Sequence, residues 1–417
     1  MKISNKMKIL YIHEYIFDYS EPGFTKPLEL LNIIKKSNND AVLLSGMYSH
    51  ITRKKIEKYK YKLIFKEKIN DVYIIRFSGF FNLTSFFHKL LNHFFFMVFS
   101  FFGGLFIKNI SVIYASSPSP FAALSGYFLS FLKRVPFVLE IRDLWPDDLI
   151  QEGLLEKGLK SSIMEKVMVF LYKKADLIIT VTKGIREGII NKGIKENKIK
   201  ILTNSVNLEL FSKEVDGKNF KEKIGLKNEF VVLYAGNHQV SNALDKIIDA
   251  ANILKDNKDI VFVFVGSGEE KINLIKKTKS LNLKNVIFVE PQPKTKMPEV
   301  YAMADLSVVS LKKVPVYDGA LPNKLLDSMA SGKPVLLAVG EEAKGIIENS
   351  GGGIWVEPEN PEEIAKGVLF FYQNKDIAKE MGKKGRDYVI KNFSNESAAQ
   401  KLEEILRDVV ASKFREK

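Results

Sequence analysis

Two series of short apolar runs, each run separated from the next by a helix-length segment, constrain this chain more than any other feature. The first series falls at 9–12, 41–44, 72–75, 112–115, 137–141, 177–181 and 199–202, the second at 231–234, 261–265, 286–289, 306–310, 335–339 and 353–356. Runs that are continuous in Val, Ile and Leu belong to strands buried on both faces, and helix-length spacers between them predict parallel sheets covered on either side. Two series predict two doubly wound, Rossmann-like α/β domains, 1–205 and 206–394, and 417 residues exceeds what one core usually serves. The joint lies near "NSVNLELF", 204–211, and 395–417 carries a final helix with no strand after it. Two such domains side by side leave a cleft facing the carboxyl ends of both sheets, where open α/β folds bind ligands.

The absence of cysteine excludes disulfides, thiolate metal sites and a cysteine nucleophile, and fits a cytoplasmic setting. The start, "MKISNKMKILYIHEY", has no apolar run long enough for a signal peptide and reads as the first strand. The net charge of +14 sits almost wholly in the first half: residues 1–205 hold 31 Lys+Arg against 18 Asp+Glu, residues 206–417 hold 32 against 31. Its densest part, "RKKIEKYKYKLIFKEK" at 53–68, reads as a solvated lysine-rich loop, an anionic-membrane surface or a nucleic-acid contact.

One segment breaks the βα pattern. Residues 80–108 hold 11 of the 30 phenylalanines, and 94–107 pass without a charge. A membrane span needs about 20 apolar residues, so this stretch is marginal and reads as a half-buried helix, either core or inserted in a membrane interface, with a true span as the remaining alternative.

Several common machines are missing: no GxxxxGK[ST] loop, no HExxH, no GxGxxG after the first strand and no Asp-x-Asp pair. His13, His50, His88, His93 and His238 show no metal spacing, so no metal is implied. What remains is "YDGALPNKLLDSMASGKPVL", 317–336. A helix starting near Asn323 and stopping at Gly332 puts Lys324 in the first turn, where unpaired amides disfavour a cation. Lys324, Asp327, Ser328 and Ser331 share one face, Leu325, Leu326, Met329 and Ala330 the other. Either the lysine swings into solvent, or the helix start and Lys324 hold an anion such as a diphosphate, with Asp327 one turn deeper accepting hydroxyl hydrogen bonds.

Beyond these residues the chain resembles the retaining, nucleotide-sugar-dependent glycosyltransferases of the GT-B fold, family four, in the branch that builds bacterial O-antigen, capsule and colanic acid. The resemblance is carried in order by "PFVLEIRDLWPDD", "ADLIITVTKGIRE", "ILTNSVNLELF", "YAGNHQ", "FVFVGSGEE", "YAMADLSVVSL" and "LPNKLLDSMASGKPVL". It implies that the donor diphosphate lies on the helix start at Asn323 to Leu325, with Lys324 beside it. Asp327 would bind the ribose and Asp318, nine residues earlier, the sugar hydroxyls, both Asp where the family usually has Glu, with Gly319 in the same segment. Gly236 and Asn237 would approach the phosphates, although "HQVSN" replaces the Arg and Lys that many relatives carry there. Gly266 and Gly268 would border the base, with Val289 to Pro291 as a base-contact strand end. Arg142 stands where many relatives have His before Asp. It and Asp143 would contact donor sugar or acceptor, or form a strand-end ion pair, beside Trp145 and Pro146, and Gly23 would approach the bound sugar.

The reaction so implied moves a sugar from a nucleoside diphosphate to an acceptor hydroxyl with retention and without a metal. The acceptor, a polyprenyl-linked glycan or other glycan, would meet the basic, aromatic first domain at the inner face of the cell membrane, and the final helix would cross back to that domain. A nucleotide-sugar epimerase on the same fold and a basic nucleic-acid-binding protein are the rival readings.

Overall fold

The structure is a computed structural model and describes residues 6–49, 54–82, 85–117, 120–211 and 215–415. The chain divides into two compact units, one comprising Met1–Asp18, Gly23–Thr203 and Asn395–Lys417, the other Tyr19–Pro22 and Asn204–Ser394.

The first unit is built on an eight-stranded sheet: β1 Lys8–Ile12, β2 Asp40–Gly46, β3 Ile64–Ile69, β4 Val72–Phe77, β5 Val112–Ser117, β6 Phe137–Ile141, β7 Leu177–Thr180 and β8 Ile199–Ile201. Their order is β3-β4-β2-β1-β5-β6-β7-β8, parallel throughout except that β3 runs antiparallel to β4. Central strands such as β5 and β6 are buried at every residue, as their unbroken apolar runs require. The final helix, Asn395–Arg415, packs in this unit: Asn395 Nδ2 donates to Glu29 Oε2 at 2.5 Å, and Lys413 Nζ lies 2.5 Å from Asp176 Oδ1.

Strand β3 corrects the reading of 53–68 as a loop over 64–68, while 54–63 form turns and a short 3-10 helix; Arg53 itself lies outside the described residues. Ile64, Lys66 and Lys68 face solvent while Phe65, Glu67 and Ile69 are half-buried, an alternation that the density of charge concealed. Lysines on an exposed edge discourage pairing with another chain. Glu67 also neutralises the fully buried Arg76 of β4, and accepts from Tyr59 Oη at 2.8 Å.

The aromatic segment forms the helix Phe86–Leu105, N-capped by Ser85, whose Oγ accepts from the His88 amide. Asn92, Phe96, Ser100 and Gly104, four residues apart, make its buried stripe. Ser100 Oγ donates to Ser125 Oγ at 2.8 Å in the helix Pro120–Lys133, and a Cβ at Gly104 would lie 2.5 Å from Leu129. The helix is half-buried, and no described helix is long and apolar enough to cross a membrane.

The second unit holds six parallel strands, β9 Phe230–Ala235, β10 Ile260–Val265, β11 Val286–Val289, β12 Leu306–Ser310, β13 Val335–Ala338 and β14 Gly353–Trp355, in the order β11-β10-β9-β12-β13-β14. A hydrophobic cluster covers each face. The helix Asn323–Ala330 belongs to one cluster through Leu325, Leu326, Met329 and Ala330, all fully buried. Each of the two leucines contributes roughly 1.5–3 kcal/mol by that burial, which fixes which residues of the helix are left to face outward.

Candidate functional site

In the second unit the carboxyl ends of β9, β10 and β11 lie in one row. The Gly236 amide donates to Val265 O at 3.0 Å and the Gly266 amide to Val289 O at 3.1 Å, while His238 N donates to Ser267 O at 2.9 Å. The loops after β9 and β10 therefore meet backbone to backbone. A Cβ on Gly266 would stand 1.9 Å from Gly236 O and one on Gly268 2.2 Å from His238 O, so neither position accepts a larger residue without displacement. Gly236, Asn237, Gly266, Gly268 and Val289 are thus brought together, with Pro291 two residues past the end of β11.

Lys324 reaches this row from the first turn of its helix, whose N-cap, Pro322, supplies no side-chain hydrogen bond to the amides of Asn323 and Lys324, while the Leu325 amide donates to Pro322 O at 3.1 Å. Lys324 Nζ donates to Tyr234 Oη at 2.8 Å and to Asn242 Oδ1, and lies 4.6 Å from the Tyr234 ring centre. Tyr234 Oη in turn donates to Asn237 O at 2.7 Å. A Cβ on Gly236 would sit 3.4 Å from Lys324 Cε, so Gly236 borders the lysine stem at contact distance. Among the described residues no carboxylate lies within 4 Å of this ammonium, and burial pulls its pKa from the ordinary lysine value down to about 7. Desolvation without a carboxylate partner disfavours the charged form of this lysine.

Asp327, one turn on, is mostly buried and forms an ion pair with Lys294 at 2.7 Å; Lys294 also lies over the Phe211 ring. Ser328 does not share the outward face assigned to it. It is fully buried, within 2.6 Å of Ser307 Oγ on β12, and donates to Lys324 O, because the apolar contacts of its neighbours turn it inward. Asp318 is exposed at the end of the turn Pro315–Tyr317, with Gly319 beside it, and lies against Gly340 at the start of the helix Glu341–Ser350. It makes no part of the Lys324 hydrogen-bond network. His238 is fully buried among Tyr234, Phe264 and Phe288, and burial, then Lys271 and Lys324, push its pKa down to about 4.

In the first unit the corresponding strand ends present a different arrangement. Arg142, just past β6, lies 3.4 Å from Glu140 Oε1 and over the Phe24 ring at 4.5 Å. Glu140 is buried, which would raise its pKa, but Arg142 with Ser116, His13 and Tyr11 carries it below the usual value. Tyr11 Oη donates to Glu140 Oε2 at 2.9 Å and stacks on Tyr114. Asp143 is exposed, its carbonyl accepting from the Trp145 amide at 3.0 Å, and Trp145 packs half-buried against the core ahead of a cis peptide to Pro146. Gly23 has φ +156°, and a Cβ there would strike the Phe17 ring at 2.2 Å, so close packing alone accounts for the glycine. Asp148 is buried, and burial followed by Asp143, Glu152 and Asp147 pushes its pKa up to about 8. No group of three or more His, Asp or Glu side chains placed to hold a metal ion occurs among the described residues.

Residues 107–205, in the first unit, match the family model of the Glycosyl transferase 4-like domain, and residues 216–388, in the second, that of Glycosyl transferases group 1. The chain carries the two domains of a glycosyltransferase. A glycosyl transferase of Escherichia coli K12, WcaI, whose name places it provisionally in colanic acid biosynthesis, is 26% identical over 67% of this chain and 72% of its own. The N,N'-diacetylbacillosaminyl-diphospho-undecaprenol alpha-1,3-N-acetylgalactosaminyltransferase of Campylobacter jejuni is 21% identical over 66% and 72%. Among solved structures, Anabaena HepE in complex with UDP and glucose superposes with a TM-score of 0.72 at 18% identity, covering 96% of this chain and 99% of that one. The fold is accordingly that of the GT-B glycosyltransferases.

Sequence reasoning about this glycosyltransferase missed Tyr234, Asn242, Lys294, Glu140 and Asp148. Tyr234 and Glu140 were absorbed into apolar runs. A tyrosine ending such a run, and a glutamate inside one, are the signals that mark them, because a buried polar tip needs a partner. Asn242 ends the "HQVSN" stretch, where the missing basic residues draw attention away from a polar side chain.

Proposed function

We propose that this glycosyltransferase moves a sugar from a nucleoside diphosphate to a polyprenyl-linked glycan in cell-surface polysaccharide synthesis, with retention at the anomeric carbon and without a metal. The buried, carboxylate-free ammonium of Lys324 at the helix start supports this reading most. A diphosphate there meets one full positive charge, the uncapped amides and the glycine backbone, and the same groups stabilise the charge that grows on the leaving diphosphate as the glycosidic bond lengthens. In this reading Asp327 receives the ribose hydroxyls and gives up Lys294 as it does so. Gly266, Gly268 and Val289 to Pro291 border the base, and Asp318 and Gly319 reach the sugar. Arg142 contacts the sugar or the acceptor, and, since arginine cannot lose its proton, it acts by charge and hydrogen bonding alone. The leaving phosphate itself takes the acceptor proton.

The undecaprenyl-linked acceptor in the name of the Campylobacter relative and the charge of the first half support a lipid-linked acceptor, reached by a peripheral protein at the inner face of the cell membrane. The experiment is incubation of the full chain with a panel of nucleotide sugars and a polyprenyl-diphosphate-linked acceptor, without added metal and with chelator. The expected result is a glycosylated lipid with the donor's anomeric configuration by NMR. Inverted product, strict metal dependence or turnover of the donor alone to an epimer contradicts the reading.

A further inference from the structure

The exposed aromatic surface of the first unit extends past the one helix that the sequence marks. Ring contacts run from Phe102 to Phe101 at 5.4 Å, on to Phe128 at 6.5 Å, then Tyr127 at 5.3 Å and Phe170 at 5.3 Å, crossing from Phe86–Leu105 over Pro120–Lys133 to the helix Leu159–Lys174. The ends of the first two helices are tied together by Lys133, whose Nζ donates to Leu105 O and Ile107 O, both at 2.9 Å. Around that tie Phe102, Phe106, Phe128, Phe131 and Leu132 stand in solvent, Phe106 82% and Phe131 72% exposed. Large side chains left this far out in a contiguous group mark an interaction surface.

The charge around the patch selects the partner. From Val72 to Leu139 there is no Asp or Glu, while Arg76, Lys89, Lys108, Lys133 and Arg134 are present. Arg76 is buried against Glu67, which leaves the other four around these helices. A second copy of this chain applied to the same face would set like charges against each other, whereas an anionic bilayer supplies both an apolar boundary for the rings and counter-charge for the lysines.

We infer that the joined ends of the helices Phe86–Leu105 and Pro120–Lys133 dock the protein on an anionic lipid surface, with Phe102, Phe106, Phe131 and Leu132 entering the acyl boundary and Lys108 and Arg134 meeting headgroup phosphates. The inference deepens the membrane part of the proposed function and rests on it only there. Its test is co-sedimentation of the full chain with vesicles of equal phosphatidylglycerol and phosphatidylcholine, against phosphatidylcholine alone. Wild type binds the anionic vesicles and releases them at 0.5 M salt. Phe106→Ser with Phe131→Ser weakens vesicle affinity about tenfold or more, and Lys108→Glu with Arg134→Glu by a similar factor. These side chains are exposed, so melting temperature and nucleoside diphosphate binding stay at wild-type values. Equal sedimentation of wild type and variants, or no binding to anionic vesicles, overturns the inference. So does a wild-type dimer that the phenylalanine variant dissociates while vesicle binding is absent. A wild type that binds vesicles but no nucleoside diphosphate breaks the proposed function and leaves the docking surface standing.

Discussion

Arg142 in the first unit and Lys324 in the second both lie near the carboxyl ends of strands, and the two cations are treated oppositely. Arg142 has its counter-charge built in: Glu140, on β6, lies two residues before it, held by Tyr11 and under the influence of His13. Among the described residues Lys324 has only the neutral oxygens of Tyr234 and Asn242. The first arrangement carries its own counter-charge. The second leaves a desolvated cation without a carboxylate, which in the proposed reading is the place of an incoming anion.

The contrast breaks at four points, in descending order of expected effect. Lys324→Ala removes a preorganised donor to the leaving diphosphate and lowers turnover by about 10²- to 10³-fold, while the melting temperature holds or rises, because a desolvated charge has gone. Steady-state kinetics with paired thermal melts measure both. Glu140→Ala acts the other way round: it leaves Arg142 without its buried partner and destabilises by ~3 kcal/mol, read in urea unfolding. Asp327→Asn keeps the fold, frees Lys294 and raises KM for the donor about tenfold, since one charge-assisted hydrogen bond to the ribose is lost; kcat changes less.

The smallest effect is a pH slope. The folded pKa of Lys324, about 7, lies below the ordinary lysine value of 10.5, so between those two values the unfolded chain binds more protons. Stability from this group is fully present above 10.5 and is lost as pH falls toward 7, at most ~1.4 kcal/mol per pH unit. Denaturant titrations of wild type and Lys324→Met between pH 7 and 9.5 differ in slope by that amount at most; identical slopes would place the ammonium in open solvent.

How far the sequence reaches follows the range of the forces involved. Strands such as β5, β6, β9 and β10 are legible because burial on both faces leaves an unbroken apolar run. β3 escapes because an edge strand needs only one half-buried face, and its Lys66, Glu67 and Lys68 read as loop. The odd placement of Lys324 is visible within one helical turn. Its partners Tyr234 and Asn242 are 90 and 82 residues away, so their meeting depends on the β9–β12 crossing of the sheet and not on any local pattern. Ser328 failed for the same reason: helix geometry alone puts it beside Lys324, but packing against Ser307 decides its direction.

The central claim, that Lys324 waits for the charge of a diphosphate, is tested most directly by calorimetry of nucleoside diphosphate binding at pH 8 in two buffers of different ionisation enthalpy. At that pH the free site is largely unprotonated, and an anion beside it raises the lysine pKa, so binding takes up close to one proton, and Lys324→Met loses both that uptake and most of the affinity. Binding without proton uptake, at an affinity that Lys324→Met leaves unchanged, would contradict it.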